Sequence, residues 1–160
     1  RDEAGMFHPG VELLRLGAGV LSRDNLIRVA SPAMRRLASD INESIYLVVR
    51  NTDGNCLYIA IEECAQPIRH VSWVGKTFTA QGSAANRVLS GKVPLGQSVT
   101  EQGVVEQDVT AISSPIIAAD QVVAAMSVLA PSYRMDEEHS TQASQLLCEA
   151  CRTVSQQLGA

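Results

Sequence analysis

Apolar residues first recur at helical spacing from Val11 to Ser22 (VELLRLGAGVLS). Gly17 and Gly19 interrupt the run, and each costs a helix ~1 kcal/mol relative to Ala, so a weak connecting helix over 1–22 is predicted. A second helical stretch covers about 24–40. Ser31-Pro32 inside it reads as a cap followed by Pro at the first helical position, after which Met34, Leu37, Ala38 and Ile41 share one face. Beyond it, Ile45 to Val49 is a β-rich run, Asn51-Thr52-Asp53-Gly54-Asn55 a hairpin turn, and Cys56 to Ile61 the returning strand. Gln66-Pro67 ends that pair, and Ile68 to Val74 is predicted as a third strand.

Ser83 to Leu89 reads as a short helix with Ser83 as its cap, and residues 92–108 show no period and are predicted as loop. Ala111 to Ile117 and Val122 to Leu129 are two strands joined by residues 118–121 as a second hairpin. Asp136 then caps a long closing helix, whose Ala143, Leu146, Leu147, Ala150, Cys151, Val154 and Leu158 step by three or four. Hairpin-linked strands with interspersed helices predict an α+β domain. Its antiparallel sheet has five or six strands and carries helices mainly on one face. The other face is left to bury a small molecule beneath the short helix and the 92–108 segment.

Composition narrows the function. The chain has 160 residues, enough for one domain, and its 13 Lys+Arg against 17 Asp+Glu give a net charge of −4. That balance argues against direct nucleic-acid binding, which needs a basic face to neutralise phosphates. No apolar run approaches the ~20 residues that span a bilayer, and no secretory signal is present, so a cytoplasmic location is expected. The opening Arg1-Asp2-Glu3 lacks an initiator Met, and a piece of a longer protein is the expectation.

The four cysteines are expected to be reduced packing thiols. Cys148 and Cys151 form C-x-x-C deep inside a helical pattern rather than at a helix start, and nothing nearby completes a zinc site. Gly75-Lys76-Thr77 resembles the end of a phosphate-binding loop, but His70 stands where the leading Gly is required. Gly17-Ala18-Gly19 has no preceding strand, and Gly82-Ser83-Ala84 lacks the flanks of a nucleophile elbow. Ser83, His70 and Glu101 could be drawn as a triad, but residues this common in so loose a trio carry no weight. His8 and His139 read as solvated, and Glu137-Glu138 as favourable charge at a helix amino end. No metal, cofactor or catalytic constellation is indicated.

Several segments in order resemble the C-terminal effector-binding domain of the IclR family of bacterial transcription regulators. They are Phe7-His8-Pro9-Gly10 with GVELLRLG, ASPAMRRL (30–37), NESIYLVV (42–49), VSWVGKTFTAQGSAANRVLSG (71–91) and AISSPIIAADQVVAAMSVLAP (111–131). Arg87 stands where a Lys is usual. The resemblance implies a GAF/PAS-like fold over 1–160, a single effector-binding and oligomerisation domain, with a winged-helix DNA-binding domain preceding Arg1. It implies a homo-dimer or tetramer that contacts operator DNA only through that other domain, with no membrane partner.

It also implies a small-molecule effector between the sheet and the short helix. Carried over by position, the pocket would include Ser83, Ala84 and Ala85 at the helix start, where free amides favour a carboxylate. Glu101 falls at an acidic position, Ala111 at one often Cys, and Ser127 and Leu129 at two often both Ser; Phe78 and His70 fall on the apolar wall. With Ala111 and Leu129 lacking polar groups, the expected ligand is an organic acid with an apolar or aromatic body. Two alternatives are a thiol-dependent enzyme using Cys56 and Cys64, whose even separation puts both on one face of an unbroken strand, and a pure dimerisation module.

Overall fold

Strand-forming side chains concentrate in three runs, and these become the centre of one sheet in the computed structural model, which describes residues 25–69, 72–78 and 81–160. The strands are β1 (Ser44–Arg50), β2 (Cys56–Glu62), β3 (Thr77–Phe78), β4 (Val99–Gln102), β5 (Val109–Ala118) and β6 (Gln121–Pro131). Their order is β3-β2-β1-β6-β5-β4, and every described pair is antiparallel. The helices are α1 (Asn25–Ile41), α2 (Ala84–Leu89) and α3 (Glu137–Gln157), with a short 3-10 turn at Ser132–Arg134.

The central strands are buried on both sides, which is why β1 and β6 read as almost unbroken apolar runs. Alternation then assigns each residue to one of two cores. Ile45, Leu47, Ile112, Ile116, Met126 and Val128 point to α1 and α3, meeting Met34, Leu37, Ile41, Leu147 and Val154. Tyr46, Val48, Cys56, Tyr58, Ala125 and Leu129 point the other way, where Ala85 and Val88 of α2 cover part of them. The two long helices therefore share one face and the short one lies on the other.

Four details differ from the sequence reading. The first helix runs without a break through Pro32. Ser31 caps nothing; its hydroxyl donates to the Ile27 carbonyl at 2.8 Å, and a buried stripe from Ala30 to Ile41 carries the helix past the missing N–H. Of the predicted third strand over 68–74, the described residues 68, 69 and 72–74 lie outside any strand. Ile68 is 67% exposed, and Trp73–Lys76 forms a turn closed by Lys76 N–H to Trp73 C=O at 2.8 Å, with Gly75 at φ +84°. Backbone bonding to β2 starts within that turn, Gly75 N–H to Tyr58 C=O at 2.8 Å and Tyr58 N–H to Lys76 C=O at 3.2 Å, and ladder pairing follows at Thr77–Phe78. The 92–108 segment contains β4, an edge strand whose exposed side chains blur the alternation. Finally, β5 and β6 extend beyond their predicted ends, to Val109 and Pro131. The predicted connecting helix over 1–22 lies outside the described residues.

Two backbone features set side-chain direction. The β1–β2 register shifts between Leu47 and Val48, so that Leu47 faces Ala60 but Val48 faces Tyr58. Ile59 is the extra residue of this bulge, and alternation along β2 changes parity there. In the β5–β6 hairpin, Ala119 and Asp120 sit at φ +47° and +59°, the double left-handed geometry of a type I′ turn.

A buried ion pair fastens the sheet's end. Glu43, just before β1, is 2% exposed. It takes both Nε (2.5 Å) and Nη2 (2.7 Å) of Arg134, which follows β6. The remaining Nη1 donates to the Ile68 carbonyl at 3.0 Å. These bonds to Glu43 hold the guanidinium even further above its ordinary pKa.

Glu43→Ala leaves Arg134 without its carboxylate and is expected to lower unfolding free energy by about 3 kcal/mol in urea titration at neutral pH. Conversely, Ala119→Asn with Asp120→Gly supplies residues suited to both positive-φ positions. A gain of about 1 kcal/mol, or a midpoint rise of about 2–4 °C, is expected in thermal unfolding.

Candidate functional site

The second face of the sheet is only partly covered, because α2 is one and a half turns long where α3 has six. Ser83 begins α2: its Oγ accepts from the Asn86 N–H at 3.3 Å, and its carbonyl takes the first intrahelical bond from the Arg87 N–H at 3.0 Å. The amides of Ala84 and Ala85 precede that first bond and so have no intrahelical acceptor. With side chains of one carbon, both residues sit flush against the sheet, at 0% and 6% exposure.

Between α2, the sheet and the segment after β4 lies a narrow hollow with a cavity volume of about 30 Å³. One wall is aromatic: Tyr58 stacks on Phe78 with ring centroids 4.8 Å apart, and meets Trp73 edge-on at 5.8 Å. Burial pushes the phenols of Tyr58 and its neighbour Tyr46 upward in pKa, so both remain neutral. The floor comes from β5 and β6. Ala111 pairs with Leu129 across the two strands and Ser113 with Ser127, the serine hydroxyls lying 2.7 Å apart. The rim carries Val104, Val105 and two carboxylates, Glu101 and Glu106. Arg87 of α2 pairs with Glu101 of β4, joining the helix to the sheet edge. Arg87 is more than half exposed, so the link orients more than it stabilises.

The structure brings most of the sequence-chosen residues to this hollow. Phe78 stands in the aromatic wall, Ser83, Ala84 and Ala85 in the helix cover, Glu101 at the rim, and Ala111, Ser127 and Leu129 in the floor. His70 lies outside the described residues. Sequence reasoning missed Tyr58, Trp73 and Ser113. The signal for Ser113 was available, since it sits two residues after Ala111 and shares its face; it gives the floor a second hydroxyl beside that of Ser127.

Other candidates fall elsewhere. All four thiols are buried. Cys148 accepts from Ser114 Oγ at 3.8 Å and Cys151 donates to the Ser114 carbonyl at 3.6 Å, with burial pushing the Cys151 thiol up to about 12. Cys56 opens β2 and Cys64 follows its end, some 25 Å of strand away at ~3.3 Å per residue. Cys64 instead meets Ser44 Oγ at 3.6 Å, and at that separation the two thiols cannot act as a pair. Lys76 lies over the Trp73 ring at 5.2 Å in a turn that leads into a strand, not a phosphate loop. His139 is half-buried rather than solvated, its Nε2 without a hydrogen-bond partner among the described residues. Asp136 caps α3 through the His139 N–H at 2.8 Å, with Glu137 and Glu138 in its first turn. Among the described residues no group of three His, Cys, Asp or Glu could hold a metal ion, and no helix is long and apolar enough to cross a membrane.

A six-stranded antiparallel sheet with two long helices on one face and a helix-capped hollow on the other defines a GAF-like α+β domain. The sequence profile described as "Bacterial transcriptional regulator IclR C-terminal" matches residues 18–97, half of the chain. The chain belongs to the IclR family, carrying the C-terminal effector-binding domain of these bacterial transcriptional regulators.

Relatives agree with that placement. The HTH-type transcriptional regulator KipR of Bacillus subtilis is 27% identical over 95 residues, which are 59% of this chain and 37% of KipR. The HTH-type transcriptional repressor AllR of Escherichia coli K12 is 24% identical over 197 aligned positions, covering 99% of this chain and 71% of AllR. The chain thus spans little more than a third of KipR and under three quarters of AllR. The crystal structure of the Thermotoga maritima IclR superposes with a TM-score of 0.82 at 19% identity, over all of this chain and 79% of that one. This is a family of regulators, not of enzymes.

Buried thiols react through rare openings. At pH 8 an aromatic disulfide reagent is expected to label the native protein at least about 100-fold more slowly than the urea-unfolded chain. Labelling of Cys56 or Cys64 at the unfolded rate would return the thiol-chemistry alternative to consideration.

Proposed function

We propose that the hollow is the effector site of this regulator. Its ligand is an organic acid with an apolar or aromatic body, and occupancy alters DNA binding by a winged-helix domain elsewhere in the full protein. The observation that carries the proposal is the hollow itself: a mostly apolar space under a short helix, with neutral polar groups at the helix start and on the floor and two carboxylates at the rim. The amides of Ala84 and Ala85 suit a carboxylate end. Glu101 opposes a negative ligand less than its charge suggests, because Arg87 compensates it. The rings of Tyr58, Trp73 and Phe78 suit a flat apolar body, whereas a small hydrophilic acid would leave buried oxygens unpaired at ~1–3 kcal/mol each.

Within this proposal the chain self-associates as a homo-dimer or tetramer, operator DNA is reached only through the other domain, and the protein works in the cytoplasm. KipR and AllR are both named as HTH-type regulators, which supports a helix-turn-helix partner domain here. The ligand acts only as far as it prefers one arrangement of the assembly over another.

A thermal-shift panel tests the reading with benzoate, phenylacetate, 4-hydroxybenzoate and hexanoate against glyoxylate and pyruvate. A ligand at 100 times its dissociation constant contributes about 2.7 kcal/mol, or about 5–10 °C for a domain of this size. The larger acids are expected to shift the midpoint and the two small ones to leave it unmoved. Tight binding of glyoxylate or pyruvate alone sinks the pocket reading; no shift with any acid leaves the assembly role.

A further inference from the structure

A second hollow lies on the other side of Phe78. It opens to solvent and has a cavity volume of about 500 Å³. Its walls are Arg50 at the end of β1, Asn55 and Cys56 where β2 begins, Gln81, and Asn86 of α2. Phe78 lines both this hollow and the one beneath α2, and so stands between them.

The turn before β2 fixes the Arg50 guanidinium. Asn51 Oδ1 accepts from the Asp53 N–H at 3.0 Å and the Asn55 N–H at 2.8 Å, and the Asn51 N–H donates to the Asn55 carbonyl at 2.8 Å. That closure presents the Gly54 carbonyl to Arg50 Nη1, which donates to it at 2.6 Å. Nη2 donates to Asn86 Oδ1 at 3.3 Å. A guanidinium has five N–H groups, so three remain to give. With Asn86 Oδ1 engaged, its amide offers the two N–H groups of Nδ2 as well.

Charge decides what these donors take. None of the described residues lining this hollow is acidic. Arg35, Arg36, Arg69, Arg87 and Arg134 pair with carboxylates, whereas Arg50 meets none among the described residues. Its charge is felt at the floor: burial pushes the Cys56 thiol up in pKa, and Arg50 pulls against it. One guanidinium matches one negative charge, and its fork meets a carboxylate through two parallel bonds. A phosphate monoester carries about −1.5 to −2 at neutral pH, more than one cation offsets. Phe78 and Cys56 give the floor an apolar surface for a short alkyl chain.

We propose that this outer hollow is a second ligand site, which takes a small aliphatic monocarboxylate. Arg50 and the Asn86 amide hold the carboxylate, and the alkyl tail lies on Phe78 and Cys56. Since Arg50 belongs to β1 and Asn86 to α2, the bound anion ties the β1–β2 hairpin to the short helix. The site does not depend on the reading of the first hollow, because its donors are different groups.

The test is a nitrogen-15 NMR titration of the 160-residue chain with butyrate, butyramide and ethyl phosphate, in mildly acidic buffer at constant ionic strength. Butyrate is expected to shift the Arg50 Nε–H and Asn86 side-chain signals saturably, and butyramide to leave them unmoved. Arg50→Gln is expected to weaken butyrate binding at least about tenfold, since hydrogen bonds to a charged group are lost. Arg50→Lys, which keeps the charge without the fork, is expected to weaken it too and serves if Arg50→Gln does not fold by circular dichroism. Asn86→Asp keeps an oxygen facing Arg50 but adds a competing carboxylate, and is expected to abolish binding. Shifts that rise without saturating, an equal response to butyramide, or undiminished binding in Asn86→Asp overturn the site. Saturation by ethyl phosphate in preference to butyrate overturns the carboxylate assignment. Saturable shifts confined to the Ala84 and Ala85 amides place the acid in the first hollow, and overturn this site while that reading stands.

Discussion

Everything in this molecule follows from a sheet whose middle strands have no solvent side. Once β1, β5 and β6 are covered on both faces, each residue must belong to one core or the other, and shifting a strand by one position would exchange the two. The helix-facing set (Ile112, Ile116, Met126, Val128) is apolar apart from Ser114, which meets Cys148 and Cys151 of α3, and it is closely packed. Its alternate set (Ala111, Ser113, Ser127, Leu129) is smaller and partly polar, and under it the packing stops short. The hollow is therefore the complement of a well-filled opposite core. Enlarging those floor side chains would convert the site into ordinary interior without disturbing the helical side.

The termini of the central strands need their own fastening, because backbone pairing ends there. Glu43 and Arg134 supply it at the junction of β1 with the turn after β6, reaching also to the carbonyl of Ile68 in the segment that leads toward the aromatic wall. Charges that far from water are normally unfavourable. Here the fork-to-fork geometry satisfies both carboxylate oxygens, and Arg134 keeps 18% of its side chain at the surface.

Much of the architecture was legible in the sequence, for identifiable reasons. The Asn51–Asn55 turn, the Asp136 cap and the stripe from Ala143 to Val154 announce themselves through local chemistry that tertiary structure merely uses. What failed was period without context. Residues 68–74 alternate well enough for a strand, yet Gly75 turns the chain at the point where it first bonds Tyr58 of β2. Thr100 and Gln102 face outward on an edge strand and hide it. Pro32 looked like a boundary because capping is local, while the buried stripe that overrides it is not. Of the positions chosen by family pattern, the described ones line the hollow, whereas Tyr58 follows from the β2 register and Ser113 from alternation continuing past Ala111.

The unequal covering of the two faces also grades the molecule's rigidity. On one side, two long helices interlock through large side chains; on the other, six helical residues rest on alanines, held to the edge strand through Arg87 and Glu101. Amide protons in α2 and β4 are therefore expected to exchange through shallower openings than those in β5, β6 and α3. A molecule seated in that lightly covered half would register first as a gain in local stiffness there.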